Sequence, residues 1–325
     1  MKDYTVRQYE AKDYPLWNAF INEAKNATFL FHRDFMEYHK DRFDDFSLLI
    51  FDKEKLVAIL PVNRVGDTVF SHQGLTYGGL IYSDKLKLAT VLYVFQAVLK
   101  FLNKTGINTI NIKAIPAIYH IKPAEELLYA MFLVDAKLYR RDALSVIDLT
   151  KKIALTQGRL EGVNKGVNHG LQVKEETNFS LFWNQILKPN LEEKYGVKPI
   201  HTLGEIENLR TKFPKNIRQF NVYLGDKIVA GTTIFESNQV AHAQYISANE
   251  SKNELGSLDY LYHYLLTEIF RDKKYFDFGI SNENQGRNLN NGLCFWKESF
   301  GASTIIQDFY EVKTSNYILL DNVIL

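Results

Sequence analysis

A single cysteine, Cys294, stands among 325 residues, so an intramolecular disulfide is excluded and the chain suits a reducing compartment. No apolar run approaches the 18 residues that a transmembrane helix requires. The opening MKDYTVRQYEAKDY is polar and has no apolar core of a secretory signal. Charge bias is absent too: 39 Lys and Arg face 38 Asp and Glu, for a net charge of +1. That balance points away from DNA and from a membrane surface as partners. The eight histidines are scattered, and no H-E-x-x-H or paired C-x-x-C occurs, so no metal is expected. A G-x-S-x-G elbow and a Walker loop are missing as well. What remains is a cytoplasmic globular chain, 46% apolar and 24% charged, long enough for two domains.

The two halves say similar things. LLIFDKEKLVAILPV (Leu48 to Val62) reads as strand, tight turn, strand, and FNVYLGDKIVAGTTIF (Phe220 to Phe235) has the same form. Each hairpin is followed by a further strand pair and then by an apolar helical stripe. Leu88, Val91, Leu92, Phe95, Leu99 and Leu102 form the first stripe. Leu258, Leu261, Tyr262, Leu265, Leu266, Ile269 and Phe270 form the second. A strand follows each helix (INTINIKAI and KYFDFGI), and a second helix and a closing strand end each copy. Ile112 corresponds to Phe278 and Ala136 to Ala302, both at an offset of 166 (278 − 112 and 302 − 136). The expected organisation is two β-β-β-α-β-α-β copies, residues 1–150 and 151–325, with a cleft between them. Between the hairpins lie GRLEGVNKGVNHGLQV and a helix that Asn178 is placed to cap.

A mixed sheet in this order, occurring twice, resembles the duplicated GNAT fold of the Fem-type family. That family comprises peptidoglycan-bridge aminoacyltransferases and related N-acyltransferases of envelope polysaccharides. The resemblance rests on YFDFGISNENQGRNLNNGL, on FWKESFGA with its aromatic-Lys-x-x-aromatic-Gly ending, and on the basic Gly-containing GRLEGVNKGVNHGLQV. It implies an α/β protein of tandem GNAT-like domains, with donor binding and catalysis in residues 151–325 and a non-catalytic acceptor wall in 1–150. It implies acyl-CoA, or aminoacyl-tRNA, as the donor. It also implies that Lys297 stabilises the oxyanion formed as an amine attacks an acyl group, a task suited to a cation in dry surroundings supplied by Trp296 and Phe300. On the residues alone, Lys297 is a lysine of an amphipathic helix with core aromatics beside it. Its partner at the 166 offset is Met131 (297 − 166), so the first copy lacks the cation.

Other candidates carry two readings each. Asp277 takes a proton from the amine or orients Lys297, or is a hydrogen-bonded structural residue. Glu283, Asn284 and Arg287 occupy the loop after that strand, where ligand contacts concentrate, or are simply solvated. The donor is expected on the strand Gln244, Tyr245, Ile246 and Ser247 and at the helix start Gly256-Ser257, where amides and the helix dipole favour phosphate. The alternative for the last two is capping. The loop before them lacks the family's basic double-glycine phosphate pattern, which separates this chain from ordinary acetyl-CoA enzymes. In SHQGLTYGGL the glycines with His72, Gln73 and Tyr77 either approach a ligand or turn a strand connection. His32 and Arg33 suit phosphate or carboxylate, or an exposed helix start. Arg159, Lys165 and His169 suit the diphosphate of a nucleotide- or lipid-linked amino sugar, or form a solvated basic linker.

Three functions compete at this point. The first is an acyltransferase acting on an amine of an envelope sugar or small-molecule precursor. The second is an aminoacyl-tRNA-dependent bridge transferase. Only Arg271 to Lys274 separate helix from strand where many of those enzymes insert a helical arm, and near-neutral charge offers little to tRNA. The third is an inactive binding module in polysaccharide assembly.

Overall fold

The computed structural model describes residues 3–324, with Lys194 and Tyr195 described by their backbone only. Two compact units emerge. One comprises Met1–Asp142, Gln285–Arg287 and Ile306–Leu325; the other comprises Ala143–Asn284 and Asn288–Ile305. A single cut at 150/151 therefore does not describe the chain. Its last twenty residues group with the first unit.

In the first unit, Thr5–Gln8, Leu48–Asp52, Lys55–Leu60 and Ile81–Tyr82 form a four-stranded antiparallel sheet in that order. The hairpin turn is carried by Lys53, at a φ of 57°. A second group of strands is built on Thr109–Lys113, which runs parallel to Thr68–Phe70. The helix Leu88–Lys104 buries Val91, Leu92, Phe95, Leu99 and Leu102, as their spacing predicts, while Leu88 stays exposed. These side chains pack with Ile110, Ile112 and Met131 in one core. Each fully buried Leu or Phe contributes about 1.5–3 kcal/mol.

In the second unit, Gln172–Glu176, Ile217–Leu224, Lys227–Glu236 and Val240–Ala248 are successive antiparallel neighbours. Gly225, at a φ of 57°, turns the second hairpin. The helical stripe from Leu258 to Phe270 forms as Ser257–Tyr264 followed by a wider π-turn segment, Leu265–Ile269. Leu261, Tyr262, Leu265, Leu266 and Phe270 pack with Phe276, Phe278 and Phe300. Asn178 lies one residue before Phe179, the N-cap of the short helix Ser180–Phe182, and its Oδ1 accepts the Ser180 amide at 2.7 Å.

The closing strands depart from the sequence expectation, in which each copy completes itself. Lys137–Asp148 leaves the first unit after Asp142, and Leu144 to Asp148 then pair antiparallel with Tyr275–Ile280 of the second. Ser303–Lys313 returns the exchange: Phe309 to Lys313 pair antiparallel with Thr109–Lys113 of the first. Strand periodicity fixes which face a residue takes but not which neighbour it meets.

Candidate active site

The second unit contains an opened pair of parallel strands. Val240–Ala248 and Tyr275–Ile280 pair at three positions, the last being His242 with Asp277. On its other edge the Val240–Ala248 strand slips register by one residue at Gln244, so that Tyr245 faces Thr233 and Ala243 faces Ile234. A bulge of this kind bends a strand and ends regular pairing. Near the far end of that strand lies a pocket of about 450 Å³, built by the second unit alone. Ile246, Ser247 and Ala248 line it from the strand, and Leu293 and Trp296 from the helix Asn291–Glu298. Asn190 closes another side and donates from Nδ2 to Ser247 Oγ at 2.7 Å.

Lys297 is 2% exposed, not a surface lysine. Its helix is capped by Asn290, whose Oδ1 accepts the Leu293 amide. The apolar side of that helix carries Trp296 against Phe278, Tyr262 and, just past the helix end, Phe300, with ring centroids 5.1–5.7 Å apart. Behind this aromatic wall Lys297 Nζ donates to the carbonyls of Gly279 at 3.0 Å and Ile280 at 2.6 Å. Burial pushes its pKa from 10.5 down to about 8, while the Asp277 charge acts the other way. The carbonyls are available because Gly279 adopts a φ of +73°, at the irregularity where this strand's pairing with Leu144–Asp148 slips.

Asp277 is fully buried. Its Oδ1 accepts the Gly279 amide at 2.7 Å, and its Oδ2 pairs with His242 Nδ1 at 3.0 Å. His242 was not singled out in the sequence, where AHAQYIS reads only as a strand. The signal would have been the parallel pairing that sets it opposite Asp277, and no single segment encodes that. Asn190 was missed for the same reason.

The donor residues expected on this unit divide. Ile246 and Ser247 line the pocket, as does Trp296, which was expected beside the substrate and Lys297. Tyr245 is buried, with its hydroxyl 2.7 Å from His201 Nδ1 and its ring beside Trp183. Gln244 forms the bulge, and its Oε1 is buried without a partner among the described residues. Gly256 does not present an open helix start: at a φ of +64° it packs so tightly that an added Cβ would lie 2.0 Å from the Gly162 carbonyl. Ser257 is fully buried behind it. Gly162 and Gly166, spaced four apart on Gln157–Asn168, let that helix close on Asp259 and Tyr260. Gly162 and Gly166 thus serve helix packing, while Gly158 faces open space.

Arg159 pairs with Asp259 and lies 5.6 Å over the Phe300 ring, at the pocket wall. Lys165 donates to the Asn253 carbonyl at 3.1 Å, and His169 ends its helix exposed. The linker expected to meet a diphosphate is thus largely engaged by its own unit. Glu283 is exposed and accepts from Asn290 Nδ2 at 2.9 Å. Asn284, at a φ of 48°, donates to Asn288 Oδ1, and Arg287 is exposed. Among the described residues no group of three or more His, Cys, Asp or Glu is placed to hold a metal ion.

The first-unit candidates form a different cluster, engaged mainly by protein groups, although His72 Nδ1 is buried without a hydrogen-bond partner among the described residues. Arg33 is buried, bonded to Glu37 and Asp45, with its guanidinium 3.9 Å over Tyr9. It balances the protein's own carboxylates, where a ligand phosphate was expected. His32, half-buried, precedes that short helix, and burial lowers its pKa. His72 stacks on His39 at 5.0 Å, and burial pushes its pKa down to about 3. Gln73 exchanges two hydrogen bonds of 2.8 Å with Asn63, and the Tyr77 hydroxyl donates to Thr28 at 3.1 Å. The loop glycines approach protein: a Cβ on Gly74 would strike the His39 ring and one on Gly78 the Ser71 carbonyl. This loop is a tight strand connection.

Solved structures share the architecture. The crystal structure of FemX superposes with a TM-score of 0.65 at 10% identity, over 98% of this chain and 99% of that one. L-PGS from Bacillus licheniformis gives 0.59 at 10% identity, over 97% and 96%. The C-terminal domain of a putative lysylphosphatidylglycerol synthetase from Agrobacterium fabrum gives 0.55 at 11%, over 81% and 84%. No protein-family model matches the chain, and no curated protein matches it. At these identities the likeness shows the fold alone: a mixed α/β chain with the architecture of FemX and L-PGS. No helix among the described residues is long and apolar enough to cross a membrane.

Proposed function

We propose that this protein is an acyltransferase that moves an acyl or aminoacyl group from an activated donor to an amine. The single observation that carries the reading is Lys297: a buried cation fixed by two carbonyls, in the same unit as an opened parallel strand pair and a 450 Å³ pocket. A thioester or ester donor lies with its arm along Ile246, Ser247 and Ala248, against Leu293 and Trp296. Two N–H bonds of Nζ hold the Gly279–Ile280 backbone. Lys297 is not among the residues that line the pocket, so the acyl group has to pass Trp296 to reach Nζ, whose third proton and charge then meet the acyl oxygen, where negative charge grows as the amine adds. In surroundings this dry such a charge opposes the oxyanion far more strongly than in water.

The acceptor class we infer is an amino group of a cell-envelope sugar or precursor, by analogy with Fem-type proteins. Acyl-CoA is the favoured donor class, bound by its arm and not by a phosphate loop at Gly256. Aminoacyl-tRNA is the second reading; the short Arg271–Lys274 connection and the even charge balance weigh against it. The test is mass spectrometry of the purified chain with a mixture of acyl-CoAs and UDP-amino sugars. A product heavier by one acyl group, formed by the wild type and not by Lys297→Met, is the expected result. Transfer from charged tRNA alone would select the second reading. No transfer from either donor class would leave a binding module.

A further inference from the structure

Asp277 carries three readings from the sequence: acceptor of the amine's proton, partner that orients Lys297, or structural residue. It is fully buried and its oxygens already meet the Gly279 amide and His242, which favours a positioning role. The same contacts single out the histidine. We propose that His242 is the general base of the transfer, with Asp277 as the positioning residue that holds its ring; the inference rests on the acyltransferase reading above.

Three observations place His242 for that task. It is the last paired residue before the parallel strands part, at the root of the opening. Its Nδ1 faces a buried carboxylate at 3.0 Å, the arrangement in which a neutral ring carries its proton on Nδ1 and its lone pair on Nε2. Nε2 has no hydrogen-bond partner among the described residues, while the side chain keeps 13% of its surface exposed. The ring also lies against the backbone that Lys297 holds: a Cβ on Gly279 would sit 3.3 Å from His242 Cε1, and the Gly279 carbonyl is 3.0 Å from Nζ. Base and cation therefore flank one peptide group, and a glycine there leaves room for the ring. The charged groups that bear on His242 are Asp277, in contact, and Lys297, across that peptide.

In the reaction, His242 Nε2 first takes a proton from the ammonium acceptor and frees the nitrogen lone pair. The nitrogen then bonds to the acyl carbon while the C=O electron pair moves onto oxygen, toward Lys297. The oxyanion collapses and breaks the bond from the acyl carbon to the donor's sulfur or ester oxygen, and a second nitrogen proton goes to that leaving atom. His242 gives the first proton to water. Donor and ammonium become amide, thiol or alcohol, and one released proton, and the enzyme is unchanged.

His242→Asn tests this, because the Asn amide nitrogen occupies the place of Nδ1, keeps the bond to Asp277 and removes the base. The probes are acetyl-CoA with a primary alkylamine, protonated at neutral pH, and acetyl-CoA with hydroxylamine, which is not. A general base contributes about 10²–10⁴ in rate. The alkylamine rate of His242→Asn should fall by about a hundredfold or more, the hydroxylamine rate by much less, and added imidazole should restore part of the first. Lys297→Met should depress both acceptors alike. Equal losses with both acceptors in His242→Asn, or no loss, would overturn the assignment while leaving the acyltransferase reading in place. A wild type that acylates neither amine from acetyl-CoA, and neither from charged tRNA, overturns both. Nitrogen NMR of the wild-type ring adds a readout independent of turnover: a proton on Nε2 in place of Nδ1 would also sink the proposal.

Discussion

Replacing Lys297 by Met exchanges the buried cation for the residue found at the corresponding place in the first half, Met131, which is itself buried. A pKa lowered from 10.5 to about 8 means that the charged form is disfavoured by about 3 kcal/mol in the folded chain. Methionine removes that cost. It also removes two charge-assisted hydrogen bonds, to Gly279 and Ile280, each contributing about 1.5–3 kcal/mol. The opposing effects leave stability at pH 7 changed by about 1–2 kcal/mol, whereas acyl transfer should drop by about a hundred- to a thousandfold. The pH dependence separates this account from a generic one. The folded pKa lies below the unfolded value, so the unfolded chain binds more protons between pH 8 and 10.5, and stability rises through that window. The Lys297 contribution is complete above 10.5 and is lost as pH falls through 8. Denaturant unfolding of both proteins from pH 7 to 10.5 should show the wild type gaining up to about 3 kcal/mol on the variant. Lys113, also lowered to about 8 by burial, is present in both and cancels. Parallel stability curves, or a Met variant with full turnover, would refute the buried-cation argument.

Gly256→Val should lower the melting temperature sharply, with a loss of about 2 kcal/mol or more, because it adds a β-branched residue at a φ of +64° against the Gly162 carbonyl. A variant that melts like the wild type would show that the helix start is open after all. Leu293→Trp, at an exposed pocket wall, should raise the donor KM about tenfold, or about 1.4 kcal/mol, with unchanged melting; an unchanged KM would move the donor elsewhere. Arg33→Ala should cost about 3 kcal/mol or more, read by calorimetry, because it strands Asp45 and Glu37 beside a partly buried void. A cost below 1 kcal/mol would return Arg33 to the ligand-binding candidates.

The sequence was most legible where the signal is local. The hairpins, the helical stripes and the Asn178 bond to the Ser180 amide are written in contiguous residues, and so was the aromatic surround of Lys297. Arg33, Gln73 and Tyr77 were harder. A polar residue beside glycines looks the same whether it meets a ligand or a buried partner such as Asn63 or Thr28, because the partner lies in another segment. Gly162 and Gly166 carried a readable cue, since small residues four apart on a helix permit close packing, but the neighbouring basic residues drew attention to phosphate. His242 depended on a parallel neighbour 35 residues away in the chain. The exchanged closing strands depended on partners far more remote.

That exchange has a consequence for how the protein is made. Thr109–Lys113 leaves the ribosome well before its antiparallel partner, Phe309 to Lys313, has been synthesised. At about 5–20 residues per second, the wait is on the order of ten to forty seconds. Throughout it, Thr109–Lys113 presents an unpaired edge, open to mispairing with any nascent strand nearby. The second unit needs only Leu144 to Asp148, which are already out, so nothing delays its sheet. Vectorial synthesis should thus invert the order expected of an N-terminal unit: the downstream unit closes first, and the upstream one is finished by the last strand to emerge. Stalled chains with residues up to about 305 outside the ribosome should accordingly resist protease in the second unit and remain sensitive in the first.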